Sequence, residues 1–292
     1  MSPGLIAAGQ IDGAPVRSIL YSYSAYAWSI LRTGVTVAPV ISDSEKCDMP
    51  LRAILRKMAG RCGRRLVNRL EGTLLARTYR PHLQGMEAVE IGGPSEILGD
   101  AGLLPIYSCL KSIDNVNYSA RTLWQSEAVK FRKSLICEGT ELPVNDQAYD
   151  CLISSHSLEH IANPMKALLE WRRVLRDRGL LLLVLPDRRY TFDWRRPVTS
   201  LEHLREDFQR DTPESDLFHL DEILALHDLS RDPPAGTPEQ FNERCLNNAE
   251  FRAIHHHVFE PETAAHLLKE VGFSVVRQDA KRFHIITLAS KC

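Results

Sequence analysis

From Ala88 onward the chain alternates short apolar runs with longer segments whose apolar residues recur every three or four positions. The run "AVEI" predicts a strand that enters a glycine turn, Gly92-Gly93-Pro94-Ser95. "EILGDAGLLPIYS" makes a poor helix because Gly99, Gly102 and Pro105 interrupt it. "LKSIDNVNY" predicts a second short strand closing on Asp114, and "SLIC" a third. "YDCLISS" shows no polar alternation, as a strand buried on both faces of a parallel sheet should not. The clearest helix is "NPMKALLEWRRVLRDRG". Asn163 can cap it and Pro164 suits its first turn. Met165, Leu168, Leu169 and Leu175 fall on or near one face, and Gly179 is placed to end it. "LLLLVLP" follows as another buried strand. "EPETAAHLLKEVGF" then predicts a helix with Pro261 early and Gly272 at its end, and "FSVVRQDAKRFHIITLA" two strands around a polar turn. The succession predicts a doubly wound α/β sheet, mostly parallel, with an antiparallel C-terminal strand.

Two regions stand apart from this rhythm. About 70 residues separate Pro186 from Glu260, too many for an ordinary α/β connection. Rich in charge, proline and histidine, they predict a cap inserted at about 190–253. At the other end, residues 1–46 read as a leader of uncertain structure. Their stretch "SILYSYSAYAWSILRTGVTVAPV" is broken by serines, tyrosines and Arg32 and lacks the run of roughly 18 apolar residues that a membrane span needs. Residues 47–87 predict a basic, helical N-terminal extension, with Leu51, Ile54, Leu55 and Met58 at helical spacing. The main domain is then 88–292.

Composition narrows the partners. A formal net charge of -1 argues against duplex nucleic acid or an anionic membrane as the main ligand. Seven scattered cysteines, odd in number and never spaced C-x-x-C, form neither a disulfide framework nor a zinc motif, and point to a reducing, cytoplasmic setting. The run His255-His256-His257 resembles a metal cluster, but adjacent residues on an extended segment point to opposite faces, so no metal site is expected there.

The glycine turn carries the chemistry. Placed after the first strand of a parallel sheet, Gly92 and Gly93 would let a ligand lie against bare backbone. Asp114, about twenty residues on, could accept hydrogen bonds from ribose hydroxyls. Both features suit a nicotinamide dinucleotide or S-adenosylmethionine. The spaced G-x-G-x-x-G is absent and the following helix is poor, which disfavours a pyrophosphate.

In "VEIGGPS", "SIDNVNY", "GTELPVNDQAYDCLISSHSLEHI" and "HHHVFEPETAAHLLKEVGFSVV" the chain resembles the class I S-adenosylmethionine-dependent methyltransferases, type 11 group, over about Val89 to Leu288. The resemblance implies a Rossmann-like fold and S-adenosylmethionine as cofactor. It implies Glu90, Gly92 and Gly93 at the methionine end and Asp114 on the ribose. Glu138, Thr140 and Glu141 would lie in the loop that meets the adenine, and Ser155 and His156 near the sulfur. Pro94 and Ser95 depart from the family's three spaced glycines. The acceptor implied is a small metabolite or glycan, through oxygen or nitrogen. A hydroxyl acceptor benefits from a general base, for which His156, His257 and Asp187 are the candidates. Two rivals stay open: a methyltransferase-like protein that binds without catalysing, and an NAD-dependent oxidoreductase. Oligomeric state is not legible.

Overall fold

A computed structural model describes residues 61–120 and 129–292. The leader at 1–46 and the predicted helical positions from Leu51 to Met58 lie outside the described residues.

The elements follow in order: helix α1 (Arg61–Leu83), strands β1 (Glu87–Ile91), β2 (Ser112–Asn117), β3 (Ser134–Ile136) and β4 (Tyr149–Ser155), helix α2 (Pro164–Val174) and strand β5 (Leu175–Pro186). Helices α3 (Leu201–Arg210), α4 (Leu220–Leu226), α5 (Pro238–Leu246) and α6 (Asn248–Phe251) come next. Helix α7 (Pro261–Glu270) and strands β6 (Phe273–Lys281) and β7 (His284–Lys291) close the chain. The seven strands form one sheet in the order 3-2-1-4-5-7-6. β1 to β5 pair in parallel, and β7 runs antiparallel between β5 and β6. The expected doubly wound sheet with an antiparallel C-terminal strand is therefore present.

Both faces are dry, which explains the unbroken apolar runs. Val89, Ile91, Leu152, Leu181 and Leu183 point to one face, under Trp171 and Leu168 of α2 and Leu267 of α7. Ala88, Cys151, Ile153, Leu182 and Val184 point to the other, under Tyr79 and Leu83 of α1. The segment read as an N-terminal extension thus covers the sheet, and the buried Tyr79 hydroxyl donates to Asp279 and to the carbonyl of Ile286.

Three predicted boundaries move. β2 runs on past Asp114 to Asn117. α2 stops at Val174, and Leu175 already pairs with Tyr149 in the sheet. The left-handed residue after α2 is Arg178 (φ 61°), not Gly179. Leu169 accordingly sits on the exposed side of α2, while Trp171 and Val174 complete the buried face. The cap at the start of α2 is as expected, Asn163 accepting from the Lys166 amide at 3.0 Å.

Between Pro186 and α7 the insertion builds its own small core from Ile223, Ala235, Phe241, Cys245 and Ile254. Among the described residues no helix is long and apolar enough to cross a membrane.

Candidate active site

The sheet order reverses between β1 and β4, and a cleft opens beyond the carboxyl ends of these strands and of β2. It lies at the place where doubly wound sheets hold their ligands. Ile91, Val116 and Ile161 give it apolar walls. Asn117, Glu138, His156 and Ser157 supply polar groups from the ends of β2, β3 and β4. Phe251 and Arg252 reach it from the insertion.

The bare glycine turn has a reason inside the protein. A Cβ on Gly93 would stand 2.2 Å from Cδ of Glu90. One on Gly92, whose φ is +80°, would stand 2.1 Å from Oγ of Ser157. So the turn is bare where Glu90 folds back beneath it and where Ser157 donates to the Ile91 carbonyl at 3.0 Å. The Glu90 carboxyl is fully buried and accepts from the Tyr107 hydroxyl at 2.9 and 3.0 Å. Burial pushes its pKa up to about 8, against the hydrogen bonds from Tyr107 and the Ser95 amide. Gly92 lines the cleft, whereas Glu90 and Gly93 sit behind it.

Asp114 is not brought to the cleft. It lies three residues short of the end of β2, fully buried, gripped by Arg132 at 2.7 and 2.8 Å and by the Tyr149 hydroxyl at 2.8 Å. Burial raises its pKa, but these donors outweigh burial and hold the carboxylate below its usual range. At the end of β2 the cleft is lined instead by Asn117, whose amide donates to the Gly93 carbonyl, and by Tyr118. Glu138 lines the cleft as expected, on a loop anchored where Trp171 donates to the Gly139 carbonyl at 2.8 Å. Thr140 and Glu141 follow in that loop without lining the cleft. Ser155 is buried against the glycine turn, its hydroxyl 2.9 Å from that of Ser95.

Of the three candidate bases, His156 faces the cleft. Its backbone is left-handed (φ 52°), and its Nε2 lies 2.8 Å from Nδ1 of His284. Asp187 is withdrawn, buried and held by the Arg189 guanidinium at 2.6 to 3.2 Å. His257 is buried beside Ala162 and Asp207, away from the cleft lining. The three consecutive histidines meet three different partners: Asp193 for His255, Asn248 for His256 and Ala162 for His257.

Arg252 was not foreseen. Left-handed at the end of α6 (φ 48°), it bonds Glu138 at 2.7 Å and forms a short pair with Glu214. The Tyr118 hydroxyl donates to the carbonyls of Glu250 and Phe251 beside it. Together these contacts seat the insertion on the cleft. Only the charge richness of the insertion signalled them in the sequence.

Residues 99–183 match the protein family described as a methyltransferase domain, type 11. The match runs from the loop after β1 into β5. No curated protein matches. Among solved structures, an S-adenosylmethionine-dependent methyltransferase from Aquifex aeolicus is 14% identical, with 82% of this chain and 98% of that chain covered and a TM-score of 0.39. One from Methanosarcina mazei is 15% identical, with 73% and 96% covered and a TM-score of 0.41. The matched segment is a methyltransferase domain of the type 11 family, and it marks the protein as an S-adenosylmethionine-dependent methyltransferase.

Its cofactor is S-adenosylmethionine, and the residues present suit that group. Two short 3-10 turns, with no α-helix, follow β1, so no long helix N-terminus is offered to a pyrophosphate. The cleft instead offers apolar walls with carboxylate, amide and hydroxyl groups at its edge, which a nucleoside needs.

Proposed function

We propose that this enzyme methylates an oxygen or nitrogen of a small metabolite or glycan in the cytoplasm, and that the acceptor enters under the insertion. The observation that carries this reading is the cleft itself. Strand ends of the sheet form its floor, while Phe251 and Arg252 of the insertion form its rim. An acceptor on that side would meet a surface belonging to the insertion, so the insertion would set specificity.

S-adenosylmethionine supplies an activated methyl group on sulfur. The chain supplies placement and electrostatics. Glu138 and Asn117 would hold the nucleoside by its hydroxyls and amine, and Gly92 and Ser157 would border the methionine end. Ile91, Val116 and Ile161 exclude water from the rings. His156 keeps the proton-acceptor role because it is the candidate that the fold brings to the cleft.

Calorimetric titration with S-adenosylhomocysteine, with NADH as control, tests the cofactor class. Micromolar binding of the first alone is expected. Binding of NADH alone would sink the reading. Labelled S-adenosylmethionine with a panel of sugars and small hydroxyl or amino compounds then tests the acceptor class, and transfer confined to nucleic acid would overturn it.

A further inference from the structure

We propose that Glu159, His160 and His255 form a binding site for one divalent zinc-class cation, placed just behind the cleft. One carboxylate oxygen and two imidazole nitrogens of these residues lie within 4.8 Å of one another, and all three side chains are buried. Two histidines and a carboxylate are a ligand set that leaves coordination positions open.

The side chains are prepared for a cation rather than for each other. Glu159 is fully buried, yet neither carboxylate oxygen has a hydrogen-bond partner among the described residues. Nδ1 of His156 lies 3.4 Å from one of them. Burying a bare carboxylate costs several kcal/mol unless a positive partner compensates it. His160 places Nδ1 2.8 Å from the Ile254 carbonyl. A carbonyl only accepts, so Nδ1 carries the proton and Nε2 presents a lone pair. That Nε2 is buried without a partner. His255 places Nδ1 2.5 Å from the Asp193 carboxylate, which orients its ring beside His160. Metal-bound histidines commonly fix their tautomer through just such a carbonyl or carboxylate on the opposite nitrogen. Asp193 is itself held by Arg196 at 3.1 Å. The two imidazoles meet edge to face with centroids 4.6 Å apart.

The location gives the site a use. Glu159 and His160 belong to the turn after β4, and His255 to the segment that returns from the insertion. A bound cation would tie the insertion to the sheet. His160 lines the cleft, so open coordination positions would face an acceptor and could take one of its oxygens as Lewis-acid ligands. The site does not depend on the cofactor reading, because metal content is measured without any methyl donor.

The test is elemental analysis of the full chain, purified without chelator and after zinc reloading, with Glu159→Gln, Asp193→Asn and His203→Ala alongside. The last variant controls for His203, His219 and His257, a second group of three with nitrogens equally close. One equivalent of metal in the native chain and in His203→Ala is expected, with loss in Glu159→Gln. Asp193→Asn, which keeps all three ligands, should weaken affinity about 10- to 100-fold. Cobalt substitution should give visible absorption that Asp193→Asn alters. The proposal fails on a native chain that takes up no metal, or on metal kept by Asp193→Asn at native affinity and lost from His203→Ala. Should Glu159→Gln not fold, the native chain, Asp193→Asn and His203→Ala still decide the matter.

Discussion

At the scale of single residues, Glu90 shows how a motif can be legible while its reason is not. The sequence marks a turn that tolerates no side chain, and a ligand is the natural occupant to infer. In the fold the protein's own groups occupy that space: the Glu90 carboxyl under Gly93 and the Ser157 hydroxyl against Gly92. Which side chain folds back under a turn depends on the Tyr107 hydroxyl, seventeen residues away, and local pattern does not report it. The buried carboxyl has a measurable consequence. Its folded pKa of about 8 exceeds its ordinary value of 4.5. Between those values the folded protein holds a proton that the unfolded chain has lost, so this group's contribution falls as pH rises through the window. Glu90→Gln keeps the shape and removes the titration. Urea midpoints for the two proteins should nearly coincide close to pH 5, separate in favour of glutamine up to about pH 8, and stay apart above it. A constant difference across that range would show that Glu90 is ionised in the folded state throughout.

At the scale of elements, β2 carries the clearest correction. An acid near a strand end is a sound ribose ligand only where the strand stops there, and strand ends are the least certain part of any pattern reading. "SIDNVN" stays in register with β1 up to Val116 opposite Ile91, which leaves Asp114 in the middle of the sheet. Arg132 and Tyr149 compensate its charge there, from segments the linear pattern could not bring beside it. The helix read through to Gly179 failed for a related reason. Leu175 suits a helix face and a sheet equally well, and pairing with Tyr149 decides between them. Two substitutions separate structural from binding roles. Asp114→Asn should cost about 1–2 kcal/mol of stability, by weakening the bonds of a fully buried side chain to the half-exposed Arg132, with little effect on S-adenosylhomocysteine affinity. Asn117→Ala should leave the melting temperature within a few degrees of native and weaken S-adenosylhomocysteine about tenfold, the loss of one good polar contact. Paired melting and titration experiments check both. The reverse assignment would restore Asp114 as the ribose ligand.

At the scale of the whole molecule, the sheet was legible because each buried strand spells its own burial, and the order of alternating elements leaves few topologies. The insertion was legible as an insertion and no further, since its contacts join residues far apart in sequence, from 26 positions for Arg196 and Glu222 to 114 for Arg252 and Glu138. Arg196 is the sharpest instance. In the sequence it is one arginine among several. In the fold it is 1% exposed and reaches Glu222 on α4 at 2.7 Å, Asp193 at 3.1 Å and the His255 carbonyl at 2.8 Å. One guanidinium therefore ties three segments: the chain leaving β5, the insertion's helices and the histidine segment that returns to the sheet. Its planar, five-donor geometry suits this, and lysine cannot reproduce it. Arg196→Lys should cost about 3 kcal/mol, because the buried Asp193 loses a partner and a carbonyl is left unpaired. The loss should be confined by the architecture. The small core of Ile223, Phe241 and Ile254 is separate from the two cores that sandwich the sheet. Hydrogen exchange should accelerate across 190–257 while β1, β4 and β5 keep native protection. Uniform acceleration across the sheet would instead mean that insertion and sheet unfold as one cooperative unit, and an acceptor site formed between them could not open without global unfolding.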